Sequence, residues 1–309
     1  MTPSHTPVLT QPVLDLFSPQ EGTHLLDATV GLGGHAEMYL AAAADTQVLG
    51  LDIDDSALAQ AKKRLQQYGS RVRLTAASYA YLDEVAGNET FDHILFDLGV
   101  GSHQLSDSER GISFRSTGPL AMKFSTVGQV QPKLPPSSLP SVKWLEQRLG
   151  YAPDAPELIA GIPEEELADI LRQYGEERYA RRIASALKRM SPNLPAAAVA
   201  DEIIAAVPGR YEGGRIHPAT RTFQALRIVV NRELESLEMG LPKAVSHLKT
   251  HGRLVVISFH SLEDRIVKRF LKETKSLTTL TKKPMVATQE EKARNPRSRS
   301  AKLRAAQKM

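Results

Sequence analysis

A glycine-rich turn and three separated aspartates are the residues best placed to do chemistry. Asp27-Ala-Thr-Val-Gly31-Leu-Gly33-Gly34-His35 follows a short apolar run and opens a helix-like stretch. Glycines there let backbone approach a ligand, and a helix start presents free N–H groups. Gly31, Gly33 and Ala36 also fit the dinucleotide spacing G-x-G-x-x-G/A. Asp52 stands 18 residues beyond Gly34 and ends a second apolar run. An acid at that place can accept hydrogen bonds from both ribose hydroxyls of a nucleoside cofactor. Asp97 ends a later apolar run, so its carboxylate is expected beside the same crevice. Nicotinamide and S-adenosylmethionine cofactors share most of these demands. Asp27 favours the latter, because a second carboxylate suits a sulfonium and an ammonium but repels a pyrophosphate. The alternative role for Asp27 is to accept N–H groups of its own loop.

The elements that must hold these residues alternate. Apolar runs at Thr23–Thr29, Gln47–Ile53, Arg71–Thr75 and Phe91–Leu98 read as strands. Helix-like stretches lie between them at His35–Ala44, Asp55–Tyr68 and Tyr81–Ala86. That rhythm predicts an α/β fold with a parallel sheet. It stops near Ser108, and no strand pattern returns before Gly209. Residues 126–141 hold four prolines and predict an exposed loop, while Glu164–Met190 and Ala196–Ala206 predict helices, the first interrupted at Gly175. Ala219–Leu241 predicts one long amphipathic helix that Pro242 kinks or ends, and Arg253–Phe259 a fifth strand. The expected organisation is 1–107 and 210–280 as two parts of one α/β domain, 108–209 as an inserted helical domain, and 281–309 as a basic tail.

Composition narrows the class. The 309 residues contain no cysteine, which excludes disulfides, a cysteine zinc site and a thiol nucleophile. No apolar run reaches the roughly 18 residues of a membrane span, and the start lacks a signal-peptide pattern, so a cytoplasmic protein is expected. No spacing suggests a metal site. Net charge is +4, yet residues 282–309 alone carry nine Lys or Arg against two Glu. The remainder is therefore slightly acidic. Such a basic end suits a polyanionic partner or a solvated terminus equally well.

Longer motifs then resemble one family. His5-Thr-Pro-Val-Leu9, Asp27–Ala36, Asp97-Leu-Gly-Val-Gly-Ser-His-Gln-Leu105, Glu109–Arg115, Tyr174–Arg178, His217–Arg227, Ser258–Lys268 and Asn295–Ser300 are similar, in order, to the RsmH (MraW) cytosine-N4 methyltransferases. The resemblance covers nearly the whole chain. It implies a class I, Rossmann-like S-adenosylmethionine methyltransferase sheet with an inserted helical domain that recognises RNA. It implies N4-methylation of a cytidine in the decoding region of 16S ribosomal RNA, with the RNA or the 30S particle as partner, and a monomer or homodimer. By position, Gly33, Gly34 and His35 would hold the methionine moiety, Asp52 the ribose, and Tyr79 would line the adenine pocket. Asp97 and Gln104 would complete the site.

The exocyclic amine of cytosine is a poor nucleophile and must be held in line with the methyl donor. Asp97 is the candidate for orienting it. His217 and His260 are expected to be structural hydrogen-bonders or, alternatively, proton carriers. Arg221 and Arg227 are expected to be ion-paired or to touch phosphate, and Arg297 and Arg299 to suit phosphate. One stretch departs from the family pattern. Thr117, Ala121 and Ser125 replace three acids, and Lys123 replaces an arginine. The departure leaves open a binding protein of the same fold with weakened catalysis.

Overall fold

The computed structural model describes residues 7–125, 133–191 and 194–309. Contacts divide it into two units, one of residues 7–101, Lys133 and 236–309, the other of 102–125, 134–191 and 194–235.

The first unit is built on eight strands: β1 His24–Asp27, β2 Gln47–Asp52, β3 Val72–Ala76, β4 Phe91–Asp97, β5 Leu248–Ser258, β6 Leu277–Thr279, β7 Met285–Val286 and β8 Lys302–Lys308. Their order is β3-β2-β1-β4-β5-β8-β6, with β7 also paired to β8. The first five are mutually parallel, and β8 runs antiparallel between β5 and β6. Period-two alternation feeds both faces of the sheet. Leu26, Ile94, Phe96, Leu254 and Val256 face a core that takes in Leu237, Leu241, Val267 and Leu271 from helices. Leu25, Leu95, Val255, Ile257 and Leu303 face a second core with Val13, Phe17, Tyr39 and Leu58. Burial of both faces accounts for the near-continuous apolar runs.

Sequence order reverses at β1, whose neighbours are β2 and β4. The crevice outside the carboxyl ends of β1 and β4 is thus a topological switch point, where open α/β sheets bind ligands.

The second unit is helical. Its helices are Ser102–Ser106, Pro140–Leu149, Ala155–Gly161, Glu164–Gly175, Ala180–Lys188, Ala196–Ala206 and Ala219–Asn231. Leu167, Leu171, Ile183, Leu187, Phe223 and Leu226 belong to one apolar core. A Cβ on Gly175 would lie 2.5 Å from the Arg221 carbonyl oxygen, so that glycine lets two helices meet at backbone distance.

Four expectations change. The helical unit spans 102–235 instead of 108–209, because the helix Ala219–Asn231 buries Phe223, Leu226 and Val230 in the helical core. The long helix expected at 219–241 is two helices, broken at Arg232 (φ +53°), and the second, Glu233–His247, continues through Pro242. Of the proline-rich loop, 126–132 lie outside the described residues. Residues 133–139 are irregular, and a helix already begins at Pro140, where a missing N–H costs nothing. Lastly, 281–309 is no solvated tail: it contributes β7, a short helix Gln289–Arg294, and β8 in the interior of the sheet. No helix among the described residues is long and apolar enough to cross a membrane.

Candidate functional site

The site is assembled by the loops that leave β1, β2, β3 and β4 at their carboxyl ends. After Asp27 the chain turns through Gly31 (φ +51°) and Gly33 (φ +78°), left-handed conformations that glycine adopts without strain. Gly33 caps the helix Gly34–Ala42, so the first N–H groups of that helix border the turn. A Cβ on Gly34 would come within 2.9 Å of the Pro7 ring, which fixes how closely the N-terminal segment packs there.

Asp52 ties the turn to β2. Its Oδ2 accepts from Gly31 N at 2.8 Å, and its Oδ1 accepts from Asp54 N at 2.9 Å. An ionised carboxylate offers about four acceptor sites, so one side chain can tie the turn to β2 by more than one bond. Asp54 in turn caps the helix Asp55–Leu65 through Ser56 N and Ala57 N.

Asp97 lies across the crevice at the end of β4. Its backbone N donates to Thr29 Oγ1 at 2.7 Å, a tie between the two loops that the sequence did not single out, though Thr29 sits inside the turn. Asp97 Oδ2 is 3.4 Å from His35 Nε2. Asp97 Oδ1 is buried without a hydrogen-bond partner among the described residues, as are both ring nitrogens of His35. Buried polar atoms are rarely left so, and a polar ligand is a direct way to satisfy them.

Asp27 is 1% exposed, and its Oδ1 accepts a long hydrogen bond from Thr29 N at 3.3 Å. Burial pushes its carboxyl up to about 7. His35 opposes the rise electrostatically, whereas Asp97 and Asp52 add to it. These interactions place all three acids and the imidazole in one electrostatic neighbourhood. It holds more negative than positive groups, which favours a cationic ligand.

Tyr79 follows β3 in a short turn capped by Ser78, whose Oγ accepts from Ala80 N. Its ring meets Phe96 edge-on, with centroids 5.2 Å apart, and Gly240 leaves it room, since a Cβ there would lie 2.6 Å from the ring. The ring therefore has a fixed place at the same edge of the sheet. Gly33, Gly34, His35, Asp52, Tyr79 and Asp97 are thus brought together in the first unit. Gln104, on the helix Ser102–Ser106, is buried in the second.

Four of the other candidates, His217, His260, Arg221 and Arg227, have structural partners. His260 caps the helix Ser261–Glu273: its Nδ1 accepts from Glu263 N, and the Glu263 carboxylate accepts from Phe259 N and His260 N. His217 Nδ1 accepts from Ala219 N, and its ring stacks on Phe114 at 4.1 Å. Arg221 bonds Glu212 at 2.9 Å, and Arg227 grips Glu233 with two bonds. In the departing stretch, Lys123 Nζ donates to the Ala152 carbonyl and lies 5.6 Å from the centre of the Tyr151 ring.

The chain matches the model of the MraW methylase family over residues 2–131 and 148–309. It is 47% identical over 305 residues to the ribosomal RNA small subunit methyltransferase H of Cyanothece sp. strain PCC 7425, covering 99% of this chain and 95% of that one. The protein of the same name from Nostoc punctiforme is 45% identical over 99% of this chain and 94% of its own. That of Synechococcus elongatus is 41% identical over 99% and 95%.

Proposed function

Since the chain belongs to the MraW methylase family, we propose that it uses S-adenosylmethionine to methylate N4 of a cytidine in the decoding region of 16S ribosomal RNA. The observation that carries this reading is the convergence of the Gly31–Gly34 turn, Asp52 and Asp97 on one switch-point crevice. The acid excess there, with the unpartnered buried atoms of His35 and Asp97, fits a ligand bearing a sulfonium and an ammonium.

When bound, the cofactor supplies an electrophilic methyl group. Gly33, Gly34 and His35 would hold its methionine part, with helix N–H groups facing its carboxylate. Asp52 would accept from the ribose, and Tyr79 would flank the adenine. Gln104 is assigned to the same cofactor. Asp97 Oδ1 is the acceptor that would orient the exocyclic amine and take up its proton. Its tether to Thr29 holds it still, and positioning of this kind accounts for a large part of such rate enhancements. The helical unit is assigned to RNA recognition. The protein would act in the cytoplasm, on the RNA or on the 30S particle.

The test is transfer of a labelled methyl group from S-adenosylmethionine to unmodified small-subunit particles, with the product nucleotide identified by mass spectrometry. N4-methylcytidine supports the assignment. Cofactor binding without any transfer would favour the weakened-enzyme reading that Thr117, Ala121, Lys123 and Ser125 leave open.

A further inference from the structure

The cations near the end of the chain fall into two sets. In β8, Lys302 and Arg304 both pair with Asp264, at 3.5 and 2.7 Å, and Lys308 Nζ donates to the carbonyls of Val245 and Leu248 at 2.7 and 2.6 Å. Those charges serve the fold. Just upstream, the side chains of Lys282, Lys283, Lys292, Arg294 and Arg299 make no ion pair or hydrogen bond with any described residue. All but Lys292 are exposed, and Arg297 beside them is half-buried.

The acids of the same segment do little to offset them. Only Glu290 and Glu291 lie between 282 and 299, and Glu291 is turned inward, its Oε1 accepting from Leu9 N at 2.7 Å. The segment is also held in place. β7 pairs with β8, Thr288 caps the helix Gln289–Arg294, and Ser298, fully buried, bonds the Asn295 carbonyl. A positive surface on an anchored frame loses little entropy when it engages a partner.

Register fixes where this surface lies. Asp97 is level with Ile257 in β5, Ile257 with Leu303 in β8, and Leu303 with Met285 in β7. Because β8 is antiparallel, its first residue, Lys302, sits opposite Ser258, at the carboxyl edge of the parallel strands. The basic segment therefore enters β8 from the edge that carries Asp97. Three strand spacings separate Asp97 from β7, about 14 Å. That distance is on the scale of a few nucleotides.

We propose that residues 282–299 form a phosphate-docking rim on the methyltransferase unit, gripping the ribosomal RNA backbone beside the nucleotide presented to Asp97. The proposal rests on the RNA-substrate reading above and adds a surface to it. Contacts of this type position the substrate without reading its sequence.

The experiment measures binding of the full chain to purified small-subunit ribosomal RNA as a function of salt. Each phosphate contact contributes about 0.7–0.9 to the slope of log K against log salt. Changing Lys282→Gln, Lys283→Gln, Arg294→Gln and Arg299→Gln together should lower that slope by about 3 and weaken binding at least tenfold at physiological salt. Cofactor affinity and Tm should stay unchanged. Lys62→Gln with Lys63→Gln, on an exposed helix face elsewhere, should leave the slope alone. A quadruple variant that keeps the wild-type slope, or a control pair that lowers it equally per charge, overturns the rim. No salt-dependent binding by the unaltered protein would instead sink the RNA reading itself.

Discussion

The two units differ in where their buried charged groups find partners. In the helical unit those groups are paired internally, although Thr222 Oγ1, Arg232 Nε and Glu235 Oε2 have no hydrogen bond among the described residues. Fully buried Arg232 pairs with Glu146 and the Val229 carbonyl, Glu177 accepts from Tyr211 Oη at 2.5 Å and Tyr179 N at 2.8 Å, and Asn231 bridges Met122 and Phe124. In the sheet unit, the crevice leaves Asp97 Oδ1 and both nitrogens of His35 without hydrogen bonds, and buries Asp27 beside two more acids. Matched groups specify a fold. Unmatched ones are tolerated where something else arrives to match them.

That contrast can be broken by substitution, and the largest effect is expected at Asp97. Asp97→Ala should lower the rate of methyl transfer by about 10²–10⁴-fold, the usual weight of a positioned proton acceptor. Its Tm should stay within a few degrees of wild type, because Oδ1 supports no internal bond and Oδ2 faces only His35, at 3.4 Å. A large loss of Tm would mean that the carboxylate is structural after all.

Glu146→Ala should do the reverse. It strands the Arg232 guanidinium inside the helical unit, and breaking a buried pair costs about 3–5 kcal/mol. Urea denaturation should show a lower midpoint for the variant while S-adenosylmethionine affinity is retained. An unchanged midpoint would show that Arg232 finds compensation elsewhere.

A subtler difference concerns pH. Between pH 3.8 and about 7 the folded chain keeps a proton on Asp27 that the unfolded chain has lost, so this group makes stability fall as pH rises across that window. His93, buried against Phe17 and Tyr39, has the opposite sign. Its folded value is pushed down to about 4, so its contribution is present above 6.5 and lost as pH falls towards 4. The two slopes oppose each other between pH 4 and 6.5. Asp27→Asn should remove one and reveal a steeper acid-side loss in thermal melts. A variant curve parallel to wild type would remove the case for a strained Asp27.

The smallest effect is expected at a matched surface cap. Asp154→Ala removes the capping box of the helix Ala155–Gly161 and should cost about 1 kcal/mol, without touching catalysis. A drop in methyl transfer at saturating RNA would contradict that.

The first four strands and the Gly turn were legible because local pattern and chemistry agree there. Leu25-Leu26-Asp27 and Ile94-Leu95-Phe96-Asp97 carry apolar runs that end on a polar residue. Their crevice was legible as well, since strand order follows from right-handed crossovers. What sequence hid was settled at long range. β8, Lys-Leu-Arg-Ala-Ala-Gln-Lys, reads as a basic tail until Asp264, 40 residues upstream of Arg304, pairs with Lys302 and Arg304. At the break, the buried Arg232 side chain finds its partner in Glu146, 86 residues away. The histidines went the same way: His260 carries a helix start, which needed the Glu263 geometry to recognise.

The position of β8 has a consequence for biosynthesis. It wedges between β5 and β6 yet is made after both, so neither neighbour can close up on the other while translation proceeds. The sheet must keep a slot open for a strand made later than both of its neighbours. A chain cut short before residue 302 would be left with two unzipped edges, one on β5 and one on β6.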